Sequence, residues 1–195
     1  MACGALAREL DAVVGLNDLT AVTVECLPAR LHNRPEQIPE AVRARVRAAR
    51  DHYDRILVGY ADCGTGGLLD KVCEQEGVSR LPGAHCYELY AGHHVFAALH
   101  EAELGTLYLT DYLVRHFDRL IIAGLGLVDH PELLEVYFAN YTRLVHLAQT
   151  DHAGLDAQAR AAAARLGLRH ERLATGYGEL AEAVVDLRRH LVVRS

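Results

Sequence analysis

The chain has 195 residues, of which 51% are apolar and 24% charged, which is enough for one sizeable core or two small ones and too apolar for a disordered segment. A net charge of −6 without a basic block argues against nucleic acid as a partner, and no apolar run approaches the ~20 residues of a membrane span. The first residues lack the charged and apolar regions of a signal peptide, so a cytoplasmic, reducing compartment is expected, where five cysteines read as free thiols or metal ligands before disulfides.

Leu6, Leu10, Val13 and Val14 form one helical stripe that opens directly after Cys3-Gly4, so any strand leading into Cys3 is expected to be missing or very short. Alternation of Val22 and Val24 with Thr23 and Glu25 predicts a strand over residues 21–27. A loop bearing His32, Asn33 and Arg34 follows, and a helix is expected over 39–51 with Pro39 at its start. The apolar run 55–60 predicts an interior strand that enters the turn Tyr60-Ala61-Asp62-Cys63-Gly64-Thr65-Gly66-Gly67. A helix is expected over 68–76, with Leu68, Leu69, Val72 and Cys73 on one face and Gly77 at its end. A brief strand at 79–82 then leads to Gly83-Ala84-His85-Cys86-Tyr87-Glu88.

In the second half, residues 105–117 read as a helix capped near Gly105 or Thr106, with a strand as the alternative. Residues 129–138 read as a helix with Asp129 as cap and Pro131 in the first turn. A strand at 143–148, a turn at 149–151, an alanine-rich helix at 156–166 stopped by Gly167, a strand at 169–174 and a last helix at 179–189 complete the chain. This alternation predicts an α/β fold, Rossmann-like, with a mainly parallel sheet flanked by helices. No linker rich in proline, glycine or serine interrupts it, so residues 1–195 are expected to form a single domain, divisible near 100–105 into two similar halves.

Three junctions share a pattern: Cys3, Cys63 and Cys86 each stand where a strand gives way to a helix. In a parallel sheet such junctions gather at the carboxyl edge of the strands, so sulfurs remote in sequence can meet there. Cys26, in a strand, and Cys73, on an apolar helix face, read as core residues instead.

Ala2-Cys3-Gly4-Ala5-Leu6, Leu31-His32-Asn33-Arg34-Pro35, the turn Tyr60 to Gly67, Gly83 to Glu88, and Gly105 to Asp111 together resemble an uncharacterised prokaryotic family, a domain of unknown function. The resemblance runs on through Tyr137 to Tyr141 and Thr175 to Gly178. Members of that family are often encoded near corrinoid proteins and methyltransferases. The resemblance therefore implies a place in one-carbon metabolism, with a small-molecule substrate or a corrinoid or methyltransferase protein as partner. Asp111, Tyr137 and Asn140 lie in resembling segments and are candidates to line the same site.

The residues themselves leave three chemistries open. In the first, Cys3, Cys63 and Cys86 ligate a metal, as an iron–sulfur cluster or as zinc, and Gly64, Thr65, Gly66 and Gly67 let the backbone approach it. His32, Asn33 and Arg34 would contribute to the same cofactor site, and His85 or Glu88 could supply a further ligand or a base. In the second, no metal is needed: Cys63, at a helix N-terminus, has a lowered pKa and acts as nucleophile, with His85 or His32 as base and the Gly64–Gly66 N–H groups as oxyanion donors. In the third, the glycine-rich helix start and Arg34 bind a phosphorylated or corrinoid ligand without chemistry of their own.

Overall fold

A computed structural model of the chain describes residues 1–189. They form two compact units, the first comprising Met1–Leu89 and the segment from Tyr177 onward, the second Tyr90–Gly176. Both have the α/β, Rossmann-like character expected, with strands that pair only in parallel.

In the first unit, β1 (Ala2–Cys3) pairs with β2 (Cys26–Leu27), and β3 (Leu57–Val58) with β4 (Ser79–Arg80). A parallel bridge between Ala2 and Gly59 joins the two pairs. Its hydrogen bonds run from Gly59 N–H to Met1 O at 2.6 Å and from Cys3 N–H to Gly59 O at 3.2 Å. The row is therefore β2-β1-β3-β4, and the strand order reverses between β1 and β3, the position at which open α/β sheets bind ligands. Gly59 permits the close approach of the two central strands, because a Cβ there would stand 2.6 Å from that of Ala2. The strand expected over 21–27 contracts to Cys26–Leu27, since β2 can form a ladder only where β1 lies beside it.

Helices α1 (Ala7–Leu16), α2 (Ile38–Ala49), α3 (Leu68–Glu76) and α9 (Gly178–Arg189) cover this unit. α1 packs against α9, and α2 against α3. Val42 and Val46 of α2 and Leu69 and Val72 of α3 are buried, as their helical spacing requires. Beside them Glu76 receives Arg43, Arg47 and Arg50 at 3.3, 2.8 and 3.1 Å. α4 (Cys86–Ala91) follows β4.

The second unit holds a three-stranded parallel sheet, β5 (Thr106–Thr110), β6 (Arg143–Ala148) and β7 (Arg169–Ala174), in that order. β6 is buried along its whole length, as a central strand must be. Helices α5 (His93–Ala102), α6 (Asp111–Arg115), α7 (Leu133–Phe138) and α8 (Ala153–Leu166) accompany it. The segment 105–117 is not one helix: its first part takes the strand alternative, and Thr110 then caps α6 by accepting the Leu113 N–H at 3.3 Å. Pairing with β6 outweighs the helical leaning of its leucines. The helix expected from Asp129 begins only at Leu133, so Asp129 is not its cap.

Candidate functional site

At the carboxyl edge of the first unit's sheet the chain stays laced together after the strands end. Leu81 N–H donates to Val58 O at 3.0 Å, Asp62 N–H to Gly83 O at 3.1 Å and Cys63 N–H to Ala84 O at 2.8 Å. These bonds carry the Cys63 turn alongside the segment that leads to Cys86, while Cys3 ends the neighbouring β1. The Leu31–Pro35 segment joins from β2, where a Cβ on Gly64 would lie 3.6 Å from Pro35 Cβ. Four of the recognised segments thus meet at one edge. Gly4 belongs to the same packing, since a Cβ there would meet Leu27 O at 2.8 Å.

The sulfurs sense one another. Cys86 is pushed well above the usual thiol range, first by burial and then by the Cys63 and Cys3 thiols. Cys63 is pushed up to about 11 by burial and then by Cys3. Cys3 is raised by burial, which the Ala5 N–H and the Tyr60 hydroxyl partly offset. The three sulfurs nevertheless do not all lie within 4.8 Å of one another. Tyr60 is 1% exposed, and its hydroxyl lies against Cys3 with no partner of normal hydrogen-bond geometry among the described residues.

Asp62 organises the turn itself. Its carboxylate accepts Thr65 Oγ1–H at 2.6 Å, Gly67 N–H at 2.9 Å and Gly66 N–H at 3.1 Å. Burial pushes the carboxyl up, but these bonds and Arg80 outweigh it and hold it below its ordinary value. The donors expected to serve a ligand or an oxyanion are therefore in part given to Asp62. Cys63 is also not at the helix N-terminus, because α3 begins at Leu68 after Gly67, and the lowered thiol pKa expected there is replaced by a raised one. Cys63 has φ of 51°, the left-handed region that a non-glycine residue adopts at a cost. The role of Asp62 was signalled in the sequence by an aspartate three residues before a threonine-led Gly-Gly pair, a side chain positioned to fold a turn onto itself.

Glu88 accepts the Ala84 N–H at 2.9 Å and fills the space that a Cβ on Gly83 would need, so it braces the segment before Cys86. His32 is half-buried, and its pKa is lowered by burial and then by the nearby His85. Asn33, Arg34, His85, Gly64 and Gly66 are exposed, Gly67 is half-buried, and Thr65 is buried with its Oγ1 accepting the Leu69 N–H at 3.3 Å. Cys73 is buried as expected, whereas Cys26 is exposed, because the edge strand β2 offers it no covering element. Asp111 is fully buried within the second unit, and Tyr137 and Asn140 are exposed there. A cavity of about 340 Å³ in the first unit is lined by Met1, Ala2, Tyr53, Arg55, Leu57 and Gly59 among others, and by none of the three cysteines.

The model of the family described as "Protein of unknown function (DUF1638)" matches residues 26–184. The chain belongs to this family. The DUF1638 match contains Cys63, Cys86 and the Leu31–Pro35 segment and begins after Cys3. No curated protein and no solved structure matches the chain. Among the described residues, no helix of this DUF1638 protein is long and apolar enough to cross a membrane.

Proposed function

We propose that the protein holds a cysteine-ligated metal centre, an iron–sulfur cluster in preference to zinc, on Cys3, Cys63 and Cys86, and that it works in the cytoplasm in one-carbon or corrinoid-linked methyl metabolism. The metabolic setting rests on the family resemblance, with a small-molecule substrate or a corrinoid or methyltransferase protein as partner. The observation that carries the metal centre is the delivery of three thiols, from the ends of three adjacent parallel strands, into electrostatic range of one another. Thiols so arranged resist ionising together, and a bound cation reverses that resistance.

The preference for a cluster rests on three ligands from separate loops and on the glycine-rich turn beside Cys63, since a polynuclear cluster takes its thiolates on separate irons. The metal-free nucleophile is disfavoured by a Cys63 thiol raised to about 11, which leaves little thiolate at neutral pH. An anion at the start of α3 would face the Asp62 carboxylate.

Anaerobic purification followed by iron, sulfide, zinc and cobalt quantification tests the reading. Cys63→Ser and Cys86→Ser should each lose most of the bound metal, while Cys73→Ser retains it. Equal retention in all three rejects the ligand assignment.

A further inference from the structure

The second unit contains a cluster unrelated to the cysteines. His146 on β6, Asp156 in the first turn of α8 and His170 on β7 each bring one ligand atom within 4.8 Å of the others. The parallel register places His146 opposite Arg172 and His170 opposite Leu144, so the two histidines are diagonal neighbours on one face of the sheet. His146 Nδ1, Asp156 Oδ1 and His170 Nε2 are all buried and have no hydrogen-bond partner among the described residues. His170 Nε2 stands 3.8 Å from Asp156 Oδ1, too far for a hydrogen bond between them. Buried polar atoms without partners are exceptional, and a single bound group between these three would satisfy all of them.

The other half of each group is already fixed. Asp111, fully buried, bonds His146 Nε2 at 2.9 Å and also accepts Thr150 Oγ1–H at 2.5 Å and Thr150 N–H at 3.0 Å. A carboxylate surrounded by donors takes a further N–H, which His146 Nε2 supplies, and Nδ1 is the ring nitrogen left facing the cluster. This is the carboxylate–imidazole relay that orients a metal-binding histidine. Arg160 takes Asp156 Oδ2 at 2.7 Å and leaves Oδ1 unused. Arg172 is a second cation beside Arg160, its Nε 4.0 Å from Oδ1 and its Nη2 paired with Asp151 at 3.1 Å.

We propose that His146, Asp156 and His170 bind one divalent transition-metal cation of the Zn2+ or Fe2+ class, with Asp111 as the positioning residue for His146. Two imidazoles and one carboxylate are a donor set that suits these ions and leaves coordination positions open for water or substrate. Bonds of about 2.1 Å in a tetrahedral site put neighbouring ligand atoms about 3.4 Å apart, so His170 and Asp156 need close by only a few tenths of an ångström. The site is independent of the sulfur centre.

The test uses the full chain with Cys3, Cys63 and Cys86 all changed to serine, titrated anaerobically with Co2+. The expected result is one equivalent of cobalt with visible d–d bands and no sulfur-to-cobalt charge-transfer absorption. Adding His170→Gln or Asp156→Asn in that background should weaken binding at least tenfold with the circular dichroism unchanged. Asp111→Asn should weaken it about tenfold and change the pH dependence of binding, which loss of a ligand by itself would not. A natively folded triple-serine chain that binds no stoichiometric cobalt overturns the proposal, as does unaltered affinity in both ligand variants. Should the triple-serine chain not fold, His170→Gln in the otherwise unaltered chain must remove one equivalent of cobalt with sulfur-to-cobalt intensity intact, and loss of neither overturns it. Failure of the cysteine centre alone would remove only the sulfur bands.

Discussion

The Tyr60 hydroxyl lies buried against the Cys3 sulfur, at the point where the first unit's strand order reverses. A buried hydroxyl without an oxygen or nitrogen partner costs about 1–3 kcal/mol, and a thiolate beside it would recover much of that as a charge-assisted bond. Tyr60→Phe should therefore leave the metal-free protein as stable as the parent within about 1 kcal/mol, or slightly more stable, while weakening metal retention. Thermal melts of the metal-free and reconstituted proteins separate the two effects. A large loss of stability in the metal-free variant would show that the hydroxyl has a structural partner.

Cys63 combines a left-handed backbone with a raised thiol, and its geometry is costly unless the side chain is used. Glycine adopts φ near 51° without penalty, at the expense of greater freedom in the unfolded chain. Cys63→Gly should thus hold the metal-free stability within about 1 kcal/mol of the parent, whereas Cys63→Val should lower it by about 1–2 kcal/mol. Both should lose the metal. Urea unfolding of the two variants side by side makes the comparison, and equal midpoints would mean that the turn relaxes around either residue.

How far the sequence reveals the site depends on the range of the interactions. α3 was readable because Leu69, Val72 and Cys73 share its buried face and Gly77 ends it, all local signals, although Leu68, expected on that face, is exposed. β6 was readable from an apolar run between turn residues, whereas β7, largely polar, was marked only by its place between Gly167 and the turn at Thr175. β5 was ambiguous because Thr106-Leu107-Tyr108-Leu109-Thr110 satisfies either period, and only its pairing with β6, over thirty residues away in sequence, decides it. The gathering at one carboxyl edge of the segments that carry Cys3, Cys63 and Cys86 follows from the parallel topology. The parts played by Tyr60 and Glu88 depended on which side chains the loops bury. His146, Asp156 and His170 have no spacing that marks them, since they meet through the register of β6 on β7 and the entry of α8.

Gly59 sets the distance between the strands that carry Cys3 and Cys63. A methyl group there would stand 2.6 Å from Ala2 Cβ and 3.1 Å from Ala2 Cα, so β1 and β3 would have to part. Gly59→Ala should cost about 1–3 kcal/mol and reduce metal content more than the stability loss explains, because the bridge at Ala2 positions Cys3. Gly66→Ala is the control: nothing lies within 4 Å of its Cβ, and its cost is the strain of φ at 62° alone, about 1 kcal/mol. Metal content equal in the two variants would argue against Gly59 as the spacer of the two sulfurs.

Asp111 gives the second unit an acid limit. Burial alone would raise its carboxyl, but bonds from His146, from Thr150 and from the Gln149 N–H outweigh it, and the folded-state pKa falls below the ordinary 3.8. The unfolded chain then binds more protons than the folded one between the two values. The stabilisation from Asp111 is accordingly complete above 3.8 and is lost as pH falls through the depressed folded value. Asp111→Asn presents an amide where the network supplies only donors, so it should cost about 2 kcal/mol or more at neutral pH and flatten the acid decline. Urea midpoints taken from neutral pH down through 3.8, for parent and variant, give the slopes, and parallel slopes would show that another carboxylate sets the acid limit.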